Sequence, residues 1–237
     1  MQTKLAIEGG GEAATVSSNA HPTLTRIRLW DLPTRVFHWS LVVAVLTAFI
    51  TGQIGGSWMA VHAKAGLAII GLVVFRLVWG VVGSTHARFL NFVPTPSKIK
   101  AYIKGQWQGV GHNPLGALSV FALLVLLAVQ AGTGLFSNDD IDFSGPLSAL
   151  VDSALSNRLT GIHVLLSNGL IGLVALHLVA IVFYVRFKKD NLVKPMLTGW
   201  KEVSSGTSAT QGGLMAFILA LLIALAVVYG ANGAGLL

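Results

Sequence analysis

Seven histidines punctuate the chain, at positions 21, 38, 62, 86, 112, 163 and 177. Four of them, His38, His62, His163 and His177, fall in stretches otherwise fit for lipid. The clearest is TGIHVLLSNGLIGLVALHLVAIVFYV (160–185), which carries two. An ionisable side chain inside such a stretch is costly and marks function by default. Imidazole has three uses there: ligating a metal, relaying a proton, or hydrogen bonding within a core. His163 and His177 are fourteen residues apart. On a helix that is about 21 Å of rise, and at about 100° per residue it falls roughly 40° short of four full turns. The two rings therefore share a face at two depths. His21, His86 and His112 fall in a polar arm or a basic loop and read as solvated or interfacial side chains.

The elements that must position these rings are membrane spans. Of 237 residues, 54% are hydrophobic and only 11% charged, against about 25% charged in an ordinary soluble domain. The mean hydropathy is +0.73. Five apolar segments, at about 36–53, 61–82, 115–136, 160–186 and 213–230, approach the roughly 20 residues that cross a bilayer. With no water to satisfy the backbone, each must be a helix. The formal net charge of +7 sits in the loops and carries no signal for nucleic acid. The chain has no cysteine, which excludes disulfides, iron–sulfur clusters on its own thiolates and thioether-linked haem. Residues 1–24, rich in Gly, Ser and Ala, lack a signal-peptide core and read as a flexible arm.

Lys and Arg set the orientation. Arg26, Arg28 and Arg35 precede the first span. Arg88, Lys98, Lys100 and Lys104 lie between the second and third, and Arg186, Lys188, Lys189, Lys194 and Lys201 follow the fourth. The loop at 54–60 is uncharged, and 137–159 sets Asp139, Asp140, Asp142 and Asp152 against Arg158 alone. The positive-inside rule makes the basic side cytoplasmic. The expected topology is therefore multi-pass, with a cytoplasmic N-terminus and a periplasmic C-terminus.

Depth then pairs the histidines: His62 with His163 near the outer face, His38 with His177 toward the inner one. Zinc would gather three or four ligands in one place, often with carboxylates or thiolates. A proton relay would favour acidic partners, and no span contains Asp or Glu. Two opposed imidazoles at each of two heights suit bis-His haem iron better. Gly66, Gly71, Gly80 and Gly83 in the second span and Gly161, Gly169 and Gly172 in the fourth offer room for a flat macrocycle, or equally for close helix packing. Arg35, Lys64, Arg76 and Arg158 lie near the levels where anionic propionates would be, with Arg76 the deepest in its segment. Topology and headgroup contact account equally well for Arg35 and Arg76.

Five ordered blocks carry a family resemblance: WDLPTRVFHWSLV (30–42), HAKAGLAIIGLVVFRLVWGVVGSTHARF (62–89), GHNPLGALSV (111–120), TGLFSNDD (133–140) and NLVKPMLTG (191–199). Together they resemble the bacterial cytochrome b561 / Ni,Fe-hydrogenase cytochrome b superfamily. The resemblance spans about residues 28–202 and implies an all-α integral membrane protein: a four-helix bundle over 25–202 holding two non-covalent haems b. The axial ligands it implies are His38, His62, His163 and His177. The fifth helix, in 203–237, is additional.

The implied function is electron transfer between membrane quinone and a periplasmic partner, either cytochrome c-like or a dehydrogenase or hydrogenase subunit. Asp139, Asp140 and Asp142 could attract a basic partner, although topology and solubility alone would also explain an acidic loop. Two other readings stand beside this one. A superoxide:ubiquinone oxidoreductase would steer an anion with positive charge, but the outer face offers only Lys64 and Arg158 against four aspartates. A non-redox membrane anchor would need no haem turnover.

Overall fold

In a computed structural model, residues 24–233 are described. The arm expected at 1–24 therefore lies outside the described residues but for Leu24. The described chain is helical, with five helices long and apolar enough to span a membrane. A short strand β1 (Thr25–Arg28) leads into α1 (Leu32–Ile54). After a 3-10 turn come α2 (Met59–Val82), the short α3 (Phe89–Phe92) and α4 (Pro96–Ile103), then α5 (Pro114–Gly134) and α6 (Ser153–Arg186). The short α7 (Val193–Thr198), strand β2 (Trp200–Val203) and α8 (Leu214–Ala231) complete the described order.

Helix starts follow local chemistry. Asp31 caps α1, accepting the Thr34 N–H at 2.8 Å, and Pro33 fills a first-turn site where no N–H is needed. Asn113 and Pro114 do the same for α5, with Asn113 Oδ1 accepting the Gly116 N–H at 2.8 Å. Asp152 caps α6 through the Leu155 N–H at 2.8 Å. This cap starts α6 seven residues before the apolar run at 160. The helix has 34 residues, about 51 Å against a hydrocarbon core near 30 Å. Its polar first turns therefore stand outside the lipid, where hydropathy gives no sign of a helix.

The three basic regions meet at one end of the bundle. β1 pairs antiparallel with β2, placing Arg26 opposite Glu202 and Ile27 opposite Lys201. The α2–α3 loop joins them, with Thr85 bonded to Thr210 and His86 Nε2 3.3 Å from the Thr207 carbonyl. At the opposite, acidic end, Asn138 ties the aspartate loop to α6 by donating to Ser156 Oγ at 2.6 Å and Asn157 Oδ1 at 2.8 Å.

α2 is the central post, packed against α1, α5 and α8. One core cluster joins Phe75 and Trp79 of α2 to Ala220 and Ala224 of α8. A second sets Ile69 and Val73 against Leu127 and Ala131 of α5. Gly71 belongs to the α8 contact, because a Cβ there would stand 2.8 Å from Val228. α6 is different. It packs against α5, and Ser156 is its only buried residue.

Candidate functional site

At the acidic end His62 and His163 face each other across the bundle, their ring centroids 6.0 Å apart and their planes nearly perpendicular. Each ring is held from behind. Nδ1–H of His62 donates to the Ala48 carbonyl of α1 at 2.8 Å, and Nδ1–H of His163 donates to the Gln130 carbonyl of α5 at 2.8 Å. A carbonyl on Nδ1 fixes the tautomer that leaves Nε2 with its lone pair, the arrangement usual for metal-bound histidine.

The spacing has room for a shared metal. A metal held by both rings lies about 2 Å from each nitrogen, hence about 3 Å from each centroid, so the centroids stand about 6 Å apart. On the ligand side of His163, the Gln130 side-chain amide is 3.3 Å from Nε2. Gln130 Oε1 is buried with no hydrogen-bond partner among the described residues.

Two glycines clear the space for these rings. A Cβ on Gly52 would lie 3.0 Å from His62 Nδ1, and one on Gly134 would lie 2.9 Å from His163 Cε1. Neither was among the glycines expected from sequence. Of those, Gly66, Gly161, Gly169 and Gly172 have no side-chain neighbour within 4 Å of where a Cβ would stand, whereas Gly80 is covered by Phe89 and Gly83 by Trp79. Gly132 of α5 and Gly230 of α8 are open in the same way, so the unfilled positions do not single out the helices that carry the facing pair.

At the basic end His38 and His177 are close enough to interact electrostatically. Nδ1 of His38 is buried without a hydrogen-bond partner among the described residues. Trp39 stands edge-on to the His38 ring at 5.1 Å, and its own Nε1–H donates to the Met196 carbonyl at 3.3 Å.

Arg76 follows His62 by fourteen residues on α2, the same interval that separates His163 from His177 on α6. It therefore shares a face with His62 and a level with His177. It is 3% exposed, its guanidinium lies 4.5 Å over the Phe89 ring, and it interacts electrostatically with Asp31. Its Nη1 is buried with no partner among the described residues. A buried cation with an unmatched donor calls for an anion. Arg35 instead donates to the Leu197 carbonyl at 2.5 Å, with Nε left buried and unpartnered among the described residues. Lys64 and Arg158 are exposed, and no structural feature ties them to the histidines.

Among the described residues no group of three or more His, Asp or Glu side chains converges as a metal cluster. The residues fit haem b at the acidic end on ring separation, tautomer and glycine clearance. At the basic end the support is the electrostatic coupling of His38 with His177 and the unmatched buried donor of Arg76.

No solved structure matches the chain. Among curated proteins it is similar to the "Probable Ni/Fe-hydrogenase B-type cytochrome subunit" of Azotobacter chroococcum mcd 1, 27% identical over 136 residues, covering 44% of this chain and 56% of that one. The like-named protein of Rhizobium leguminosarum bv. viciae is 26% identical over 160 residues, 55% and 64% of the two chains. The "Probable Ni/Fe-hydrogenase 1 B-type cytochrome subunit" of Escherichia coli (strain K12) is 23% identical over 141 residues, 45% and 57%. The chain thus spans a little over half the length of these relatives. A family description matches far more continuously, over residues 29–199, which takes in α1 to α6 and all four paired histidines. The chain belongs to the prokaryotic cytochrome b561 family.

Proposed function

We propose that the protein carries electrons across a prokaryotic membrane through two haems b stacked in the bundle. His62 and His163 would hold the iron at the acidic end, and His38 and His177 that at the basic end. Residues 25–202 form the haem-carrying four-helix unit, and α8 is an added brace on α2. By the positive-inside rule the basic end faces the cytoplasm. The observation that carries this reading is the His62–His163 pair, 6.0 Å apart with both Nδ1 atoms on backbone carbonyls.

Bound haem supplies a one-electron centre at each level. The chain does the rest. The Ala48 and Gln130 carbonyls orient the imidazoles and raise their basicity. Gly52 and Gly134 let the rings lie flat against neighbouring helices. Arg76 places a positive charge at the inner level, where it would pair with an anionic propionate and favour the more reduced state of a group held there. Lys64 and Arg158, exposed on α2 and α6 toward the outer level, contribute only peripheral charge. Arg35 holds the α7 segment to α1. The two levels are about 21 Å apart along α6.

Membrane quinone exchanges electrons at the cytoplasmic level, and a periplasmic protein exchanges them at the outer level. The curated relatives are named as hydrogenase subunits, which favours a hydrogenase- or dehydrogenase-type partner over a free cytochrome c. The test is quinol-dependent haem reduction in proteoliposomes, with ferricyanide as external acceptor. Sustained ferricyanide reduction that His177→Ala abolishes is expected. Absence of any haem reduction by quinol would refute the assignment.

A further inference from the structure

A second site lies at the basic end, outside the histidine pairs. Between α3, α4 and the start of α5 is a cavity of about 180 Å³, lined by His86, Asn91, Phe92, Lys98, Trp107 and His112 among others. Its walls contain no carboxylate. The whole stretch 83–113 holds Arg88, Lys98, Lys100, Lys104 and two histidines without one Asp or Glu. The floor is aromatic: His112 packs 4.6 Å from Trp30 and 4.5 Å from Phe92. Nδ1 of His112 is buried with no hydrogen-bond partner among the described residues. Lys98 Nζ stays at the cavity by donating to the Val93 carbonyl at 3.2 Å, which leaves two of its three protons for a ligand.

One lysine on the wall, further cations in the same stretch, an unused ring nitrogen and no competing carboxylate select an anion with several acceptor oxygens. The volume is below the roughly 300 Å³ of a typical organic-ligand pocket, so it holds a headgroup and not a long body. Beside it Leu90 is 86% and Ile103 74% exposed, apolar side chains that belong in acyl chains. We infer that this cavity binds the phosphodiester of an anionic phospholipid, with Lys98 and His86 on the phosphate oxygens, the glycerol against Phe92 and Trp107, and the tails running along Leu90 and Ile103. Basic pockets between helices at the cytoplasmic surface suit this class of lipid. The bound lipid ties the α3–α4 segment to the foot of the bundle.

The holoprotein, purified in neutral detergent, is examined by native mass spectrometry and phosphorus analysis. It is then transferred to nanodiscs of phosphatidylcholine with or without phosphatidylglycerol. The wild-type chain is expected to retain an anionic lipid and to unfold at higher temperature with phosphatidylglycerol present. Lys98→Gln with His86→Gln should weaken retention by at least about fivefold, the effect of losing one lysine charge, and lose the stabilisation, while Lys98→Arg keeps both. An unchanged haem spectrum in the variants shows that the bundle and its haem sites are intact, so the result stands apart from the electron-transfer assignment. Equal lipid retention by wild type and the double variant would overturn the inference. So would full stabilisation by inorganic phosphate alone, which marks a free-phosphate site, or displacement of the lipid by a short-tailed quinone.

Discussion

The two histidine pairs are built on different principles. At the acidic end the backbone does the positioning: both Nδ1 atoms rest on carbonyls of neighbouring helices, and glycines stand where any side chain would collide with the rings. At the basic end no carbonyl backs His38, whose buried Nδ1 lacks a partner among the described residues, as does the buried donor Arg76 Nη1; Trp39 stands edge-on to His38, and the Arg76 guanidinium lies over Phe89. The facing pair at the acidic end is thus held in place by the backbone, whereas at the basic end Arg76 keeps a donor that an anion would fill. Preorganised sites tolerate loss of peripheral charge, whereas ligand-completed sites depend on it.

The largest expected effect is loss of one haem from the site that is cut. His163→Ala should abolish the outer haem and spare the inner, and His177→Ala should do the reverse, as read by haem per chain and by redox titration of the remaining centre. Two intact haems in either variant would break the pairing. Gly134→Val comes next. Its side chain would press on a ring already 2.9 Å from a Cβ, and overpacking of this kind costs about 1–3 kcal/mol. Outer-haem occupancy should fall by roughly tenfold, whereas Gly161→Ala, with no neighbour within 4 Å, should leave the spectrum unchanged.

Arg76→Leu probes the inner site more gently. Removing a buried cation disfavours the reduced state, so the inner midpoint potential should drop by on the order of 50 mV while the outer stays put and Arg76→Lys restores most of the shift. Equal shifts of both centres would place Arg76 between them and not at the inner level.

Acid should produce the smallest difference. Burial, aided by Arg76 and His86, pushes the His112 imidazole at the basic end down to about 3 from 6.5. Between those values the unfolded chain binds the extra proton, so the contribution of His112 is intact above pH 6.5 and is lost progressively as pH falls below it. At the acidic end, N–H donors from Phe143, Ile141 and Asp142 hold the Asp139 carboxyl below 3.8, so its loop keeps its charge until lower pH. Hydrogen exchange at pH 5 should therefore show the 83–113 segment loosening before 137–152, and His112→Phe should remove that difference.

Much of this was legible in the sequence because membrane physics is restrictive. Apolar length defined the spans, basic loops defined a common end, and a fourteen-residue interval placed His163 and His177 on one face. What escaped notice depends on contacts between distant segments. Gly52 and Gly134 look like ordinary span glycines until the rings they clear are in place. The carbonyls of Ala48 and Gln130 carry no side-chain signature at all. The early start of α6 hides in polar residues that Asp152 caps, and the β1–β2 ribbon pairs residues some 175 positions apart. One signal was available and unread: the interval from His62 to Arg76 repeats that from His163 to His177, which places a buried cation at the inner level.

The central claim is two haems on four histidines. Its most direct measurement is the ratio of pyridine-extractable haem b to chain in the purified protein, combined with low-temperature electron paramagnetic resonance of the oxidised state. The account predicts two haems per chain, both low-spin with two nitrogen axial ligands. A ratio of one, or a high-spin signal from either centre in the native protein, would contradict it.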